Sequence, residues 1–180
     1  MAEQAAERAS QTRTADGRWK QSGRYRRMTQ DVVLTISGLH DDVGAEPGGE
    51  SGVIEVVTPA VYYFRDGKHY IFYDETVEGI PGTIKNRITI SGEDTLDIMK
   101  SGLTNSHMIF QRNKTNLTSY KTPYGQMQMG IHTRSREIKV EKQRIQAAVT
   151  YGLDIEHEAQ AECRISIDIR PREDADRILG

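Results

Sequence analysis

From Thr29 onward, apolar residues fall on every second position, and Gly, Asp, Asn or Pro interrupt the alternation about every ten to fifteen residues. That period decides what the chain can become. A helix collects its apolar face at spacings of three and four, so winding this pattern helically would leave much of it in water. Drawn out as strands, it lies on one face of a sheet. Turn residues then set the pairing. In residues 60–74 the tip is Asp66-Gly67, suited to the two-residue type I′ turn that needs positive φ at both positions. Arg65 then faces Lys68, Phe64 faces His69, Tyr63 faces Tyr70, Tyr62 faces Ile71 and Val61 faces Phe72.

Opposing apolar residues on one face registers further hairpins, because a slip of one residue would turn a whole set to solvent. Ile90 then opposes Leu96 and Ile88 opposes Ile98, while Val140 opposes Ile145 and Ile138 opposes Ala147. Across Asn113-Lys114, Phe110 opposes Leu117 and Met108 opposes Ser119. Leu153, Tyr151, Val149 and Ala147 oppose Cys163, Ile165, Ile167 and Ile169. The inward parity changes between Ile131 and Ile138, which predicts a β-bulge within residues 134–137. Strands are expected at residues 29–40 and 53–58, in both arms of the Asp66-Gly67 hairpin and in the later segments, roughly nine or ten in all. So many sequential antiparallel strands tend to close, since closure removes exposed edges. The fold class is all-β, an antiparallel meander closing into a barrel of about 8–10 strands.

Charge divides the 180 residues. The formal net charge is -2, yet residues 1–27 carry seven Lys or Arg against three carboxylates and so stand at +4, leaving -6 on the remainder. This leader has Trp19 and Tyr25 as its only aromatics and is expected to be a disordered basic extension, dispensable for folding. Its functional alternative is an arm that touches nucleic acid or an acidic partner. Met28 opens the patterned segment and is an alternative translation start. Residues 28–170 are the barrel domain, residues 41–52 a flexible loop, and residues 171–180 a polar C-terminal tail or short helix. The longest apolar run, residues 60–64, is far short of a membrane span, and no secretory h-region precedes it. A cytoplasmic protein is expected. The single Cys163 has no internal disulfide partner and faces inward, where a thiol acts as a small hydrophobe.

Five segments carry a resemblance: Met-Thr-Gln-Asp-Val at residues 28–32, Gly-Lys-His-Tyr at 67–70, Tyr-Asp-Glu-Thr at 73–76, Thr-Pro-Tyr-Gly at 122–125 and Met-Gly-Ile at 129–131. With these, residues 28–170 resemble the YwiB-like family of uncharacterised bacterial proteins, and residues 120–131 are the most specific stretch. The resemblance implies a lipocalin-like, calycin-type barrel and no particular activity. The basic leader and the longer loop at 41–52 depart from the family pattern, both outside the strands.

Catalytic devices are missing from the sequence. It has no Gly-x-Ser-x-Gly elbow, no P-loop and no Gly-x-Gly-x-x-Gly before a helix, and His40, His69, His107, His132 and His157 have no chelating spacing. No enzyme activity, cofactor or metal is expected, and the histidines read as surface or strand-end residues. Two functions are compatible with what remains. In the first, the lumen binds a small amphipathic or anionic ligand: Asn86, Lys100, Thr104, Ser106 and Lys121 ring one mouth beside Tyr124, with Met108, Phe110, Met127 and Met129 deeper. Ile98 is expected to face Ser106, Lys100 to face Thr104, Asn86 to face Lys100 and Lys121 to face Ser106. Two inward lysines with no inward carboxylate would favour an anionic head group. In the second, the barrel is filled by its own side chains and a face of the hairpin bearing Tyr62, Tyr63, Tyr70 and Phe72 carries a protein contact, a homodimer in its simplest form. Nucleic acid is not expected to bind the acidic barrel itself.

Overall fold

The computed structural model describes residues 11–13, 19–21, 31–42 and 53–173. Two three-residue strands, β1 (Gln11–Arg13) and β2 (Trp19–Gln21), form a small sheet of their own. The rest of the leader, Met28, most of the 41–52 loop and residues 174–180 of the tail lie outside the described residues.

Ten strands make the barrel: β3 (Asp31–Asp42), β4 (Val53–Arg65), β5 (Lys68–Thr76), β6 (Thr83–Ser91), β7 (Thr95–Gly102), β8 (Ser106–Gln111), β9 (Thr115–Thr122), β10 (Gly125–Glu141), β11 (Arg144–Ile155) and β12 (Glu158–Pro171). They run antiparallel in the order β8-β7-β6-β5-β4-β3-β12-β11-β10-β9, a meander whose first and last strands meet because β3 pairs with β12. The remaining seam lies between β8 and β9. It is closed by one bridge, Asn105 to Lys121, by Asn116 Nδ2 donating to the Ile109 carbonyl at 2.9 Å, and by the His107 N–H donating to Thr118 Oγ1 at 3.3 Å. The barrel is thus nearly closed.

Where a short turn fixes the pairing, the register follows the sequence. Asp66 and Gly67 both have positive φ (52° and 75°), and the β4–β5 pairs run from Val61 and Phe72 to Arg65 and Lys68. Ile90 pairs with Leu96 and Ile88 with Ile98, and the β10–β11 register is likewise as read from the sequence. The bulge in β10 falls between Thr133 and Ser135.

Four readings are corrected. The strand expected at 53–58 runs on through Pro59 to Arg65 as one strand. β11 and β12 pair two residues away from the expected register, with Tyr151 opposite Cys163 and Ile145 opposite Ile169: the tight Glu156-His157 turn, both residues at positive φ, moves the pairing by three, and a register shift between Leu153 and Asp154 returns one. β7 and β8 also differ by two, Ile98 facing Met108 and Lys100 facing Ser106. Between β8 and β9 the slip is one residue and inverts the face. Leu117 is exposed, and Asn116 turns inward to bond the Ile109 carbonyl across the seam.

The buried residues fill the lumen. Val32 and Leu34, Ile71, Ile88 and Ile90, Leu96, Phe110, Ile131, Ile145, Val149 and Ile169 are nearly or fully inaccessible. Phe110 on β8 and Tyr151 on β11, separated around the wall by β9 and β10, bring their rings to 5.0 Å. Their contact spans the interior. At one end Arg136, turned inward by the bulge and 7% exposed, donates to the carbonyls of Glu93 and Asp94 in the β6–β7 turn. This guanidinium ties the long strand β10 across the barrel end.

β4 changes partners at Val61. It pairs with β3 from Val53 to Val61 and with β5 only from Val61 to Arg65, while β5 stays paired with β6 as far as Thr76. The wall therefore opens between residues 58–61 and 72–74. Pro59, which has no N–H to donate, stands in the part of β4 that leaves β5.

Candidate functional site

Four inner-face residues lie in one row across adjacent strands: Tyr73 on β5 opposes Asn86 on β6, Asn86 opposes Lys100 on β7, and Lys100 opposes Ser106 on β8. The β7–β8 turn holds the far end of the row. Gly102 has φ of 118°, and a Cβ there would meet the Thr83 carbonyl at 2.3 Å, so only glycine fits. Asn105 fastens the same turn, with Nδ2 donating to the Gly102 carbonyl at 3.2 Å and Oδ1 accepting from the Gly102 N–H at 3.4 Å.

Charge in this row is already balanced. Lys100 Nζ bonds both oxygens of Glu75, at 3.1 and 2.9 Å, and Glu75 also takes a hydrogen bond from the Tyr73 hydroxyl. Burial first, then the neighbouring carboxylate charge of Glu75, pushes the Tyr73 hydroxyl well above the ordinary phenol range. Asn86 is 2% exposed and donates Nδ2 to the Ile84 carbonyl at 3.2 Å. Its Oδ1 and the Thr104 hydroxyl are buried with no hydrogen-bond partner.

The residues singled out from sequence separate into groups. Asn86, Lys100 and Ser106 come together with Thr104 in the following turn, and Met108, Phe110, Met127 and Met129 share the inner face below them. Lys121 does not join them. It is exposed and bridges Asn105, because the inner face of β9 carries Asn116, Thr118 and Tyr120. Tyr124 is 90% exposed and lines nothing. The expectation of no inward carboxylate is corrected by Glu75, which shares the odd, inward parity of Ile71 and Tyr73 on β5. That parity was the available signal.

The hairpin aromatics divide by face. Tyr62 is buried in the lumen, and its hydroxyl meets His69 Nδ1 at 2.9 Å. His69 stands at the strand end expected for it, second in β5, but it is only 7% exposed and so is not a surface residue, and burial pushes its imidazole down to about 4. Outside, Tyr63 and Phe72 remain 47% and 41% exposed, with Tyr63 edge-on to Phe72 at 6.0 Å and Tyr70 stacked beside Phe72 at 6.5 Å. Val57 and Val61 are exposed on β4 of the same wall.

Elsewhere, His132 lies between Thr115 Oγ1 at 2.8 Å and Asp154 Oδ2 at 2.5 Å, a cross-strand relay on the outer surface of β9, β10 and β11. Arg144 and Arg170 clasp Asp168; burial would raise its carboxyl, and the two guanidinium hydrogen bonds outweigh that and lower it. Among the described residues no three His, Cys, Asp or Glu converge as a metal site, and no helix is long and apolar enough to cross a membrane.

An all-β, nearly closed barrel with a side-chain-filled interior and an aromatic outer wall is the class that these features define. Residues 43–167 match the family model described as a domain of unknown function, DUF1934, and the chain belongs to that family. Its relatives include the uncharacterised β-barrel protein YwiB of Bacillus subtilis, 25% identical over 133 residues that cover 74% of this chain and 89% of that protein. The crystal structure of the YwiB protein from Bacillus subtilis superposes with a TM-score of 0.62 at 20% identity, covering 81% of this chain and 96% of that one. The barrel resemblance read from the sequence is borne out. At that identity the structural likeness speaks for the fold alone.

Proposed function

We propose that this chain is a non-enzymatic cytoplasmic β-barrel that works as a protein-interaction module through the outer wall of β4 and β5, with self-association as its direct form. The observation that carries this reading is the outer triad Tyr63, Tyr70 and Phe72, in which Tyr63 and Phe72 stay nearly half exposed while their rings and that of Tyr70 lie side by side, on a barrel whose interior is already occupied by Phe110 and Tyr151. Aromatic side chains cover large contact areas with few rotors to immobilise, which is why they dominate interface centres. Gel filtration with light scattering tests it. The expected result is a dimer that dissociates on diluting, and a chain with Tyr63→Ser and Phe72→Ser that stays monomeric with unchanged stability. A wild-type monomer at all accessible concentrations refutes self-association.

A small ligand at the Asn86 mouth is the second reading, favoured by the two buried, unpartnered atoms Asn86 Oδ1 and Thr104 Oγ1. Its chemistry differs from the anionic expectation. With Lys100 neutralised by Glu75 and Lys121 outside, the mouth suits a neutral hydrogen-bonding group ahead of an apolar body. A thermal-shift screen comparing fatty acids with their primary amides tests this: stabilisation by amides and not by acids supports it, and no shift with any compound removes it.

A further inference from the structure

Part of β4 is an open sheet edge. Its pairing with β5 stops at Val61, so from Val53 to Pro59 it is paired with β3 alone among the described strands. This stretch reads Val-Ile-Glu-Val-Val-Thr-Pro, and Val53, Ile54, Val56 and Val57 are 65%, 66%, 42% and 58% exposed, two on each face of the sheet. An apolar edge of this length is a template for another strand. Glu55 and Pro59 are the residues that blunt it, and they do so selectively.

The hairpin turn decides which backbone groups are free. Its two-residue tip makes Arg65 and Lys68 a hydrogen-bonded pair, and the alternation runs without a shift along β4, so the odd residues aim their N–H and C=O groups toward the β5 side. Beyond Val61, those of Val53, Glu55 and Val57 meet no strand among the described residues. Pro59 offers only its carbonyl, which accepts from the Thr58 hydroxyl at 3.2 Å and keeps a second lone pair.

We infer that a second copy of this chain adds its own β4 to this edge, antiparallel, about a two-fold axis at Val56. Two residues select that register. An axis at residue 55 would oppose the two Glu55 carboxylates, and an axis at 57 would set Glu55 against a Pro59 that has no N–H to return. At Val56, Glu55 faces the partner's Val57 and each donates and accepts, Val53 donates to the partner's Pro59, and Val56 meets the partner's Val56 as a close, non-hydrogen-bonded pair. The two-fold then holds about six backbone hydrogen bonds. This inference rests on the self-association reading and gives it a register. It also continues the aromatic wall, because the partner's Val53, opposite Pro59, lies diagonal to Val61 and so beside Phe72, at the cleft of about 450 Å³ that Pro59, Val61 and Phe72 line.

Single cysteines test the register by air oxidation with copper–phenanthroline, since the native Cys163 is buried. Val56→Cys should yield about tenfold more crosslinked dimer than Ile54→Cys or Thr58→Cys, because residue 56 alone meets itself. Val57→Pro removes an edge N–H and spares the ladder to β3, so light scattering should show dimerisation weakened about thirtyfold. Val57→Lys, opposite the partner's Glu55, should tighten the dimer and Val57→Glu should loosen it, which keeps the test independent of the proline's own effect on the strand. A dimer that crosslinks no better at 56 than at 54 or 58, or that responds alike to Lys and Glu at 57, overturns the edge pairing and leaves the aromatic contact standing. A wild-type chain that is monomeric at all accessible concentrations overturns the self-association reading, and this inference with it.

Discussion

The two faces of the β4–β5 hairpin are built from the same residue types and have opposite fates. Inside, Tyr62, His69, Ile71 and Tyr73 are buried, and the polar atoms among them are engaged, Tyr62 with His69 and Tyr73 with Glu75. Outside, Val61, Tyr63, Tyr70 and Phe72 touch one another and water. Composition therefore does not separate core from surface in this hairpin. The closed wall does, by giving the inner residues partners across the lumen and the outer ones none among the described residues. A surface aromatic cluster of this kind adds little to folding and much to association.

Core substitutions separate the two faces most strongly. Phe110→Ala removes the ring that meets Tyr151 across the lumen and should cost about 3–5 kcal/mol in chemical denaturation. Tyr63→Ser should cost less than about 1 kcal/mol. Similar losses at both positions would break the comparison.

Acid sharpens it next. His69 has a folded pKa of about 4 against the ordinary imidazole value of 6.5, so below about pH 6.5 the unfolded chain takes up a proton that the folded chain refuses. Stability is thus full above pH 6.5, falls as the pH drops toward 4, and levels off below that as far as this group is concerned. The total should be about 3 kcal/mol. Denaturation midpoints measured from pH 7 to 4 should show this slope, and His69→Phe should flatten it; an unchanged slope would free His69 of the role.

The polar mouth gives a smaller effect. Lys100→Met leaves Glu75 without its cation and should destabilise by about 1 kcal/mol, with Lys100→Met/Glu75→Gln recovering most of the loss. Lys121→Met, on the exposed seam, should change thermal stability by less than about 0.5 kcal/mol. Smallest of all is the leader. Removing residues 1–27 should leave the thermal midpoint nearly unchanged, and a fall of more than about 5 °C would assign those residues to the barrel.

Local turn chemistry explains which of these features the sequence discloses. Asp66-Gly67 names its own turn type, so every pair in that hairpin follows from it. Glu156-His157 makes an equally tight turn with two non-glycine residues at positive φ, which no residue type announces, and only the register shift between Leu153 and Asp154 brings the β11–β12 slip to two and so keeps the face. Lys121 fails for a different reason. Leu117 is apolar and is the natural inward residue of β9, but the seam to β8 is closed by hydrogen bonds, so the polar Asn116 is drawn inside and every neighbour on β9 inverts. Arg136 is hidden by the same kind of inversion. The alternation foretells a bulge in β10, and its position between Thr133 and Ser135 is what turns an arginine into the plug of one barrel end. Closure is a property of the whole ring, and residues that close it do not follow the one-strand alternation.

Native mass spectrometry of freshly purified full-length protein tests the central claim most directly, since one spectrum reports both what fills the lumen and what covers the outer wall. The account predicts a species at twice the 20.3 kDa of one chain, with no retained small molecule. A single chain of 20.3 kDa carrying a bound small molecule would contradict it.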